Sequence, residues 1–180
     1  YGLVSGGTGK ITSYIPTNSG SVTRTRDNYF NGGDASLIGS QEGVFFVEAA
    51  TLANEPGMNK SIALSASNAA SNRVALFFGY ASNQLTAFIS AGGVNVAIYA
   101  TTTDQTAFNK IAIKYKSGDV ALWLNGTEAS TSTTSFTFSA ALSELAFDQG
   151  NGSQHFDGHV KQLAVFKEIL SDAELAALTS

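Results

Sequence analysis

The stretch that decides the fold is Phe108-Asn109-Lys110-Ile111-Ala112-Ile113-Lys114-Tyr115-Lys116-Ser117-Gly118-Asp119-Val120-Ala121-Leu122-Trp123-Leu124-Asn125. Ile111, Ile113 and Tyr115 alternate with Lys110, Lys114 and Lys116, the two-residue period of a strand with one buried face and one wet face. After Lys116-Ser117-Gly118-Asp119, a turn-forming tetrad, the alternation resumes. Val120, Leu122 and Leu124 fall on one side, Ala121, Trp123 and Asn125 on the other. The spacing predicts an antiparallel hairpin, Phe108–Lys116 with Val120–Asn125.

Working outward, runs of the same length recur from Gly43 onward. They are Val44–Ala50, Ser61–Ser65, Arg73–Tyr80, Gln84–Ala91, Val94–Thr101, Ser135–Ser139, Glu144–Phe147 and His159–Phe166, separated by Gly, Asn, Asp and Ser. Ala91-Gly92-Gly93 marks a second hairpin. Strands that each bury one face need two sheets stacked on a shared core. The reading is all-β: a two-sheet antiparallel β-sandwich over residues 43–180. One short C-terminal helix is added at Ser171-Asp172-Ala173-Glu174, a capping box followed by Leu175 and Leu178 on one face. Residues 1–42 are rich in Gly, Ser, Thr and Asn, yet hold apolar anchors such as Tyr14 and Ile15. They read as an extended arm packed on the sandwich or linking it to neighbours.

Composition narrows the partners. Of 180 residues, 13% are charged, about half the usual share of roughly 25%. Uncharged groups cover the surface instead, with 21 Ser, 17 Thr and 18 Gly. Net charge is −4, and the ten Lys and Arg are scattered without a basic run, which argues against nucleic acid. There is no Cys, so disulfides, thiolate metal sites and a Cys nucleophile are excluded. No apolar run approaches the roughly 18 residues that read as a membrane span, so no membrane insertion is expected. The chain opens on Tyr1 without a signal-like leader, the expectation for a processed protein or a domain of a longer one.

The Asn-Gly-terminated strand Gly118–Gly126 resembles the hairpin of laminin-G-like, concanavalin A-like jelly rolls. The tail Phe156-Asp157-Gly158-His159-Val160-Lys161-Gln162-Leu163-Ala164-Val165-Phe166, with Leu170-Ser171-Asp172-Ala173-Glu174-Leu175, is similar to the closing strand and helix of such domains in bacteriophage tail and virion proteins. Thr12–Thr17, Val22-Thr23-Arg24 and Asp27 resemble a segment that precedes them. The resemblance implies a jelly roll on a virion surface or otherwise outside the cell, in contact with other virion proteins and repeated as a homo-oligomer. A glycan-binding or calcium-binding rim often accompanies it.

Catalytic chemistry finds little purchase. Glycoside hydrolysis needs two carboxyl groups about 5–10 Å apart, and Glu48 stands without a strand partner acid. His155, Asp157 and His159 would share a strand face, but Asp157-Gly158 reads as a turn. No Gly-x-Ser-x-Gly elbow occurs, and Gly6-Gly7-Thr8-Gly9-Lys10 lacks the length and ending of a phosphate loop. No catalytic residue is assigned and the domain is read as non-enzymatic. Calcium suits the oxygen-rich loop Asp148-Gln149-Gly150-Asn151-Gly152-Ser153, with Asp148, Asn151 and Asp157 as candidate ligands. The same residues are ordinary turn formers. No cofactor is required.

A glycan site needs aromatic faces beside amides and hydroxyls. Trp123, Tyr99, Tyr80, Phe88 and Tyr115 supply the rings, with Asn95, Asn125, Thr86 and Ser90 beside them; Trp123 and Asn125 share one strand face, Tyr99 shares another with Asn95, and Phe88 lies with Thr86 and Ser90 on the polar side of its strand. Were these strands neighbours, one sheet surface would carry the patch. The leading expectation is a virion surface domain binding host glycans through Trp123, Tyr99, Asn125, Asn95 and Phe88. Its rivals are a structural decoration or spacer domain and a polysaccharide-degrading enzyme. The sequons at Asn59, Asn125 and Asn151 matter only in a eukaryotic secretory setting.

Overall fold

The computed structural model describes residues 29, 32–57, 60–67 and 69–180. The arm up to residue 28, with the Gly6–Lys10 and Thr12–Asp27 segments and Tyr14 and Ile15, lies outside them, as does Asn59. Ten strands and one helix follow in order: β1 (Glu42–Thr51), β2 (Lys60–Ala66), β3 (Ala69–Phe78), β4 (Gln84–Ala91), β5 (Val94–Thr101), β6 (Asn109–Lys116), β7 (Val120–Leu124), β8 (Thr127–Ser132), β9 (Glu144–Ala146), β10 (Gly158–Phe166) and α1 (Asp172–Thr179). Two five-stranded antiparallel sheets stack, in the orders β10-β1-β6-β7-β8 and β5-β4-β3-β2-β9.

The deciding hairpin forms in the expected register. Ile111 faces Leu124 and Ile113 faces Leu122, while Ala112 faces Trp123 and Lys114 faces Ala121. Ile111, Ile113, Tyr115, Val120 and Leu122 enter the core between the sheets beside Phe45, Val47, Ile62, Leu64, Val74, Leu76, Leu85 and Ile98. Gly118 takes φ +79° at the turn, and the Asp119 amide donates to the Lys116 carbonyl at 2.9 Å.

The other face of β6 and β7 is not wet, as the Lys alternation suggested. Val44, Phe46, Ala112, Ala121 and Trp123 form a second apolar cluster closed by Leu175 of α1. The helix is seated by its capping box: the Glu174 amide donates to Ser171 Oγ and the Ser171 amide to Glu174 Oε2. At its far end the Gly126 amide donates to Thr179 Oγ1 at 3.1 Å. Lys114, almost buried, reaches Asp119 at 2.8 Å and Asp172 at 3.6 Å. A short helix without tertiary support would be unstable; this one lies over the sheet.

One expected strand is corrected and one unexpected strand appears. Ser135–Ser139 is not a strand. Two of its amides go to side chains rather than to a neighbouring strand: Phe136 N donates to Ser117 Oγ and Ser139 N to Asn72 Oδ1. Phe136 and Phe138 still pack on the core. Conversely β8, Thr-Glu-Ala-Ser-Thr-Ser, is an edge strand that its composition hid. Before β1, Gly32 bridges to Leu145 and Ile38 is buried in the core.

Candidate functional site

The outer face of the β5-β4-β3-β2-β9 sheet carries the groove. Inward-pointing Val74, Leu76, Leu85, Ala87, Ile89, Val96 and Ile98 leave the alternate residues outside. Cross-strand pairing then makes rows: Tyr99–Thr86–Phe77, Ala97–Phe88–Ala75 and Asn95–Ser90–Arg73. The small Ala97 leaves a hollow beside Tyr99, which is 47% exposed, and Tyr80 stands 63% exposed at the end of β3. The opposite wall is the loop after β9. It closes through Gln149 N to Ser153 O (3.0 Å) and Phe156 N to Phe147 O (2.9 Å), and Gly150 (φ +88°) is pressed so closely on Ser65 that a Cβ there would lie 2.7 Å from Ser65 Cβ.

The resulting groove holds about 280 Å3 and is lined by Arg73, Phe77, Tyr80, Thr86, Phe88, Ala97, Tyr99, Gln149 and Gln154. That is near the lower end of the roughly 300–1,000 Å3 of small-molecule sites. At its inner end the Arg73 guanidinium lies 5.1 Å from the Phe88 centroid and 5.5 Å from that of Phe77. Its Nη1 donates to Gln149 O and Oε1, both at 2.8 Å. Burial pushes the guanidinium below its ordinary pKa. Two polar atoms here are buried without a partner, Arg73 Nε and Thr86 Oγ1. Buried polar atoms are normally satisfied; these two are not.

Of the expected glycan residues, the structure brings Tyr99, Asn95 and Phe88 onto one face, with Tyr99 and Phe88 lining the groove. It does not bring Trp123 and Asn125 there, because β7 belongs to the other sheet. Trp123 is 7% exposed, under α1, so no sugar can stack on it while the helix is docked. Asn125 sits at φ +48° and completes the hairpin turn: its Oδ1 accepts from Lys110 N (2.9 Å) and its Nδ2 donates to Asn109 Oδ1 (3.0 Å). Arg73, Phe77, Gln149 and Gln154 also line the groove and were not chosen from sequence as sugar contacts. The signal was present in Arg73-Val74-Ala75-Leu76-Phe77, whose alternation puts an Arg and a Phe on one solvent-side face.

In the proposed calcium loop, Asp148 is 2% exposed. Its Oδ1 accepts from the amides of Gly150 (2.6 Å) and Asn151 (3.2 Å), and Asn151 Oδ1 accepts from Ser153 Oγ (2.7 Å). The loop's oxygens thus shape its own turn. Asp157 lies beyond it, its carbonyl accepting from Leu52 N. Among the described residues no three His, Asp or Glu side chains converge to hold a metal ion. Glu48 faces Lys161 Nζ at 3.1 Å on the other sheet.

A two-sheet antiparallel sandwich in this strand order, with a helix closing one outer face, is a concanavalin A-like jelly roll. The chain belongs to the family described as the Concanavalin A-like lectin/glucanases superfamily, whose laminin-G-type model matches residues 47–176. Among solved structures it is similar to the CBM40 of the Ruminococcus gnavus IT-sialidase bound to alpha2,3 sialyllactose, with TM-score 0.65, 16% identity, and 86% of this chain and 97% of that one covered. It is also similar to Domain 4 of AbnA, a GH43 extracellular arabinanase from Geobacillus stearothermophilus, in complex with arabinotriose (TM-score 0.61, 14% identity, 82% and 70% covered). A third likeness is the heptameric SAP-like pentraxin of Limulus polyphemus (TM-score 0.59, 12% identity, 80% and 72% covered). At such identities the likeness is one of fold. No curated protein matches the sequence.

Proposed function

We propose that this domain is a non-enzymatic glycan-binding module whose site is the groove on the outer face of β3, β4 and β5. The observation that carries the reading is the pair of unpartnered buried polar atoms, Arg73 Nε and Thr86 Oγ1, in a groove walled by exposed Tyr80 and Tyr99. A sugar ring has an apolar face that fits an aromatic side chain and a rim of hydroxyls that fits amides and hydroxyls. Tyr99 and Tyr80 offer the first, Thr86, Gln149 and Gln154 the second. The glycan complexes among its structural neighbours support the reading by showing that this architecture accommodates oligosaccharides.

A shallow groove of this volume holds little more than one sugar unit, so single-site affinity is weak and repeated copies would supply avidity. The phage tail or virion setting, the homo-oligomer and the extracellular location belong to this proposal as its context. Mass spectrometry of purified particles tests the first, and light scattering of the chain in solution tests the second. No cofactor enters the reading. Sugar binding is expected to survive EDTA; its loss, with recovery on adding Ca2+, would give the Asp148 loop a metal.

The deciding experiment is a glycan array followed by NMR titration of the best hit. Tyr99→Ala is expected to weaken binding at least tenfold and the groove residues to carry the shifts. An array without hits, or a hit indifferent to both Tyr99→Ala and Tyr80→Ala, overturns the proposal.

A further inference from the structure

We propose that Arg73 makes the groove selective for a sugar bearing a carboxylate. This rests on the groove being a glycan site and names the chemistry of its ligand. The charge on Arg73 in the groove has no counter-charge among the described residues. Arg73 forms no ion pair among the described residues; Glu144, the acid on the same sheet face, lies two strands away in β9 and accepts from Ser65 Oγ at 3.1 Å. The residue is only 9% exposed. Removing a cation from water without an anion is costly, and the Phe77 and Phe88 rings offset only part of that cost.

The guanidinium is also oriented for a ligand. Both hydrogen bonds to Gln149 come from Nη1. The edge formed by Nε and the other terminal nitrogen has no acceptor among the described residues, and Nε is the buried unpartnered atom. A carboxylate meets that edge with two parallel hydrogen bonds, whereas a neutral hydroxyl offers one acceptor and no charge. If Arg73 served only to tether the loop, Nη1 alone would suffice. The Thr86 hydroxyl, unpartnered on the neighbouring strand, is placed for a ring hydroxyl of the same sugar. Two sources supply a ring-borne carboxylate: a uronic acid within a chain, or a nonulosonic acid at a chain end.

The test titrates the full chain with 3′-sialyllactose, its methyl ester, a glucuronate-containing disaccharide, the corresponding methyl ester, and lactose. One of the two acids is expected to bind at least tenfold tighter than its own ester and than lactose, and to weaken as salt rises. Which acid wins identifies the source. Arg73→Gln is expected to erase the acid–ester difference. The ester comparison needs no variant, so it decides the matter even if Arg73→Gln folds poorly. Acid and ester binding alike in the groove of the unaltered chain would overturn the carboxylate proposal and leave the glycan site standing. No binding by any sugar, or binding untouched by both Tyr99→Ala and Tyr80→Ala, would bring down the site itself and this inference with it.

Discussion

The two outer faces of the sandwich start from similar material and end differently. On β1, β6 and β7, Val44, Phe46, Ala112, Ala121 and Trp123 lie beneath α1. On β3 and β4, Ala75, Phe77 and Phe88, with Ala63 of β2, make an apolar patch of comparable kind, but the covering element is a loop. That loop stops at β2 and β3, reaching Ser65 through Gly150 and Arg73 through Gln149. Tyr99 and Tyr80 are left outside it. An aromatic ring on a strand therefore says little about ligands until its cover is known. The helix turns one face into core, and the short loop turns the other into a groove.

The largest effect that separates the two faces is on stability. Trp123→Ala is expected to cost about 3–5 kcal/mol, the range for buried aromatic truncations, in urea unfolding. Any loss of sugar binding should then track unfolding alone. A Trp123→Ala protein of unchanged stability would mean that α1 does not cover this face in solution.

Next comes the loop. Gly150→Ala forces a side chain into φ +88° and against Ser65, at roughly 1–3 kcal/mol for such backbone strain. It should also weaken sugar binding several-fold, because the wall carrying Gln149 shifts. Binding unaltered by this substitution would show that the loop is no part of the site.

Tyr99→Ala should behave oppositely to Trp123→Ala. An exposed side chain outside any network changes stability by about 0.5 kcal/mol or less, while sugar binding falls at least tenfold. Equal losses of stability in the two variants would erase the distinction between the faces.

How much of this contrast the sequence carried follows from the same physics. The inward sets Ile111/Ile113/Tyr115 and Val120/Leu122/Leu124 were legible because alternation depends only on the strand's own period. The capping box Ser171–Glu174 was legible because it is local. Trp123 was misplaced because alternation tells which residues share a face but not what packs over it; the answer lay fifty residues away in Leu175. Sheet membership was hidden for the same reason, so β7 and β5 seemed able to share a surface. β8 was missed because an edge strand of Thr, Glu, Ala and Ser has no apolar side to alternate. That Phe88 and Tyr99 lie on the outer side of their strands was legible from face-sharing alone. Arg73 was passed over because a charged strand residue is ordinarily solvated, and only the fold reveals that Gln149 and two rings enclose it.

The smallest expected effect uses the single tryptophan as a reporter on the covered face. Ser171 holds Glu174 through its hydroxyl and its amide, and these hydrogen bonds lower the Glu174 pKa below its ordinary 4.5. A carboxyl depressed in the folded state adds stability above the unfolded pKa and loses it as pH falls through the folded one. Below pH 4.5 the first turn of α1 should therefore loosen, and with it the cover over Trp123. Emission should shift to the red in acid before the sheets unfold. Glu174→Gln keeps a side chain able to cap the Ser171 amide but cannot titrate, so its red shift should vanish or move to the pH of global unfolding. An identical acid shift in both proteins would disconnect the cap from the face it closes.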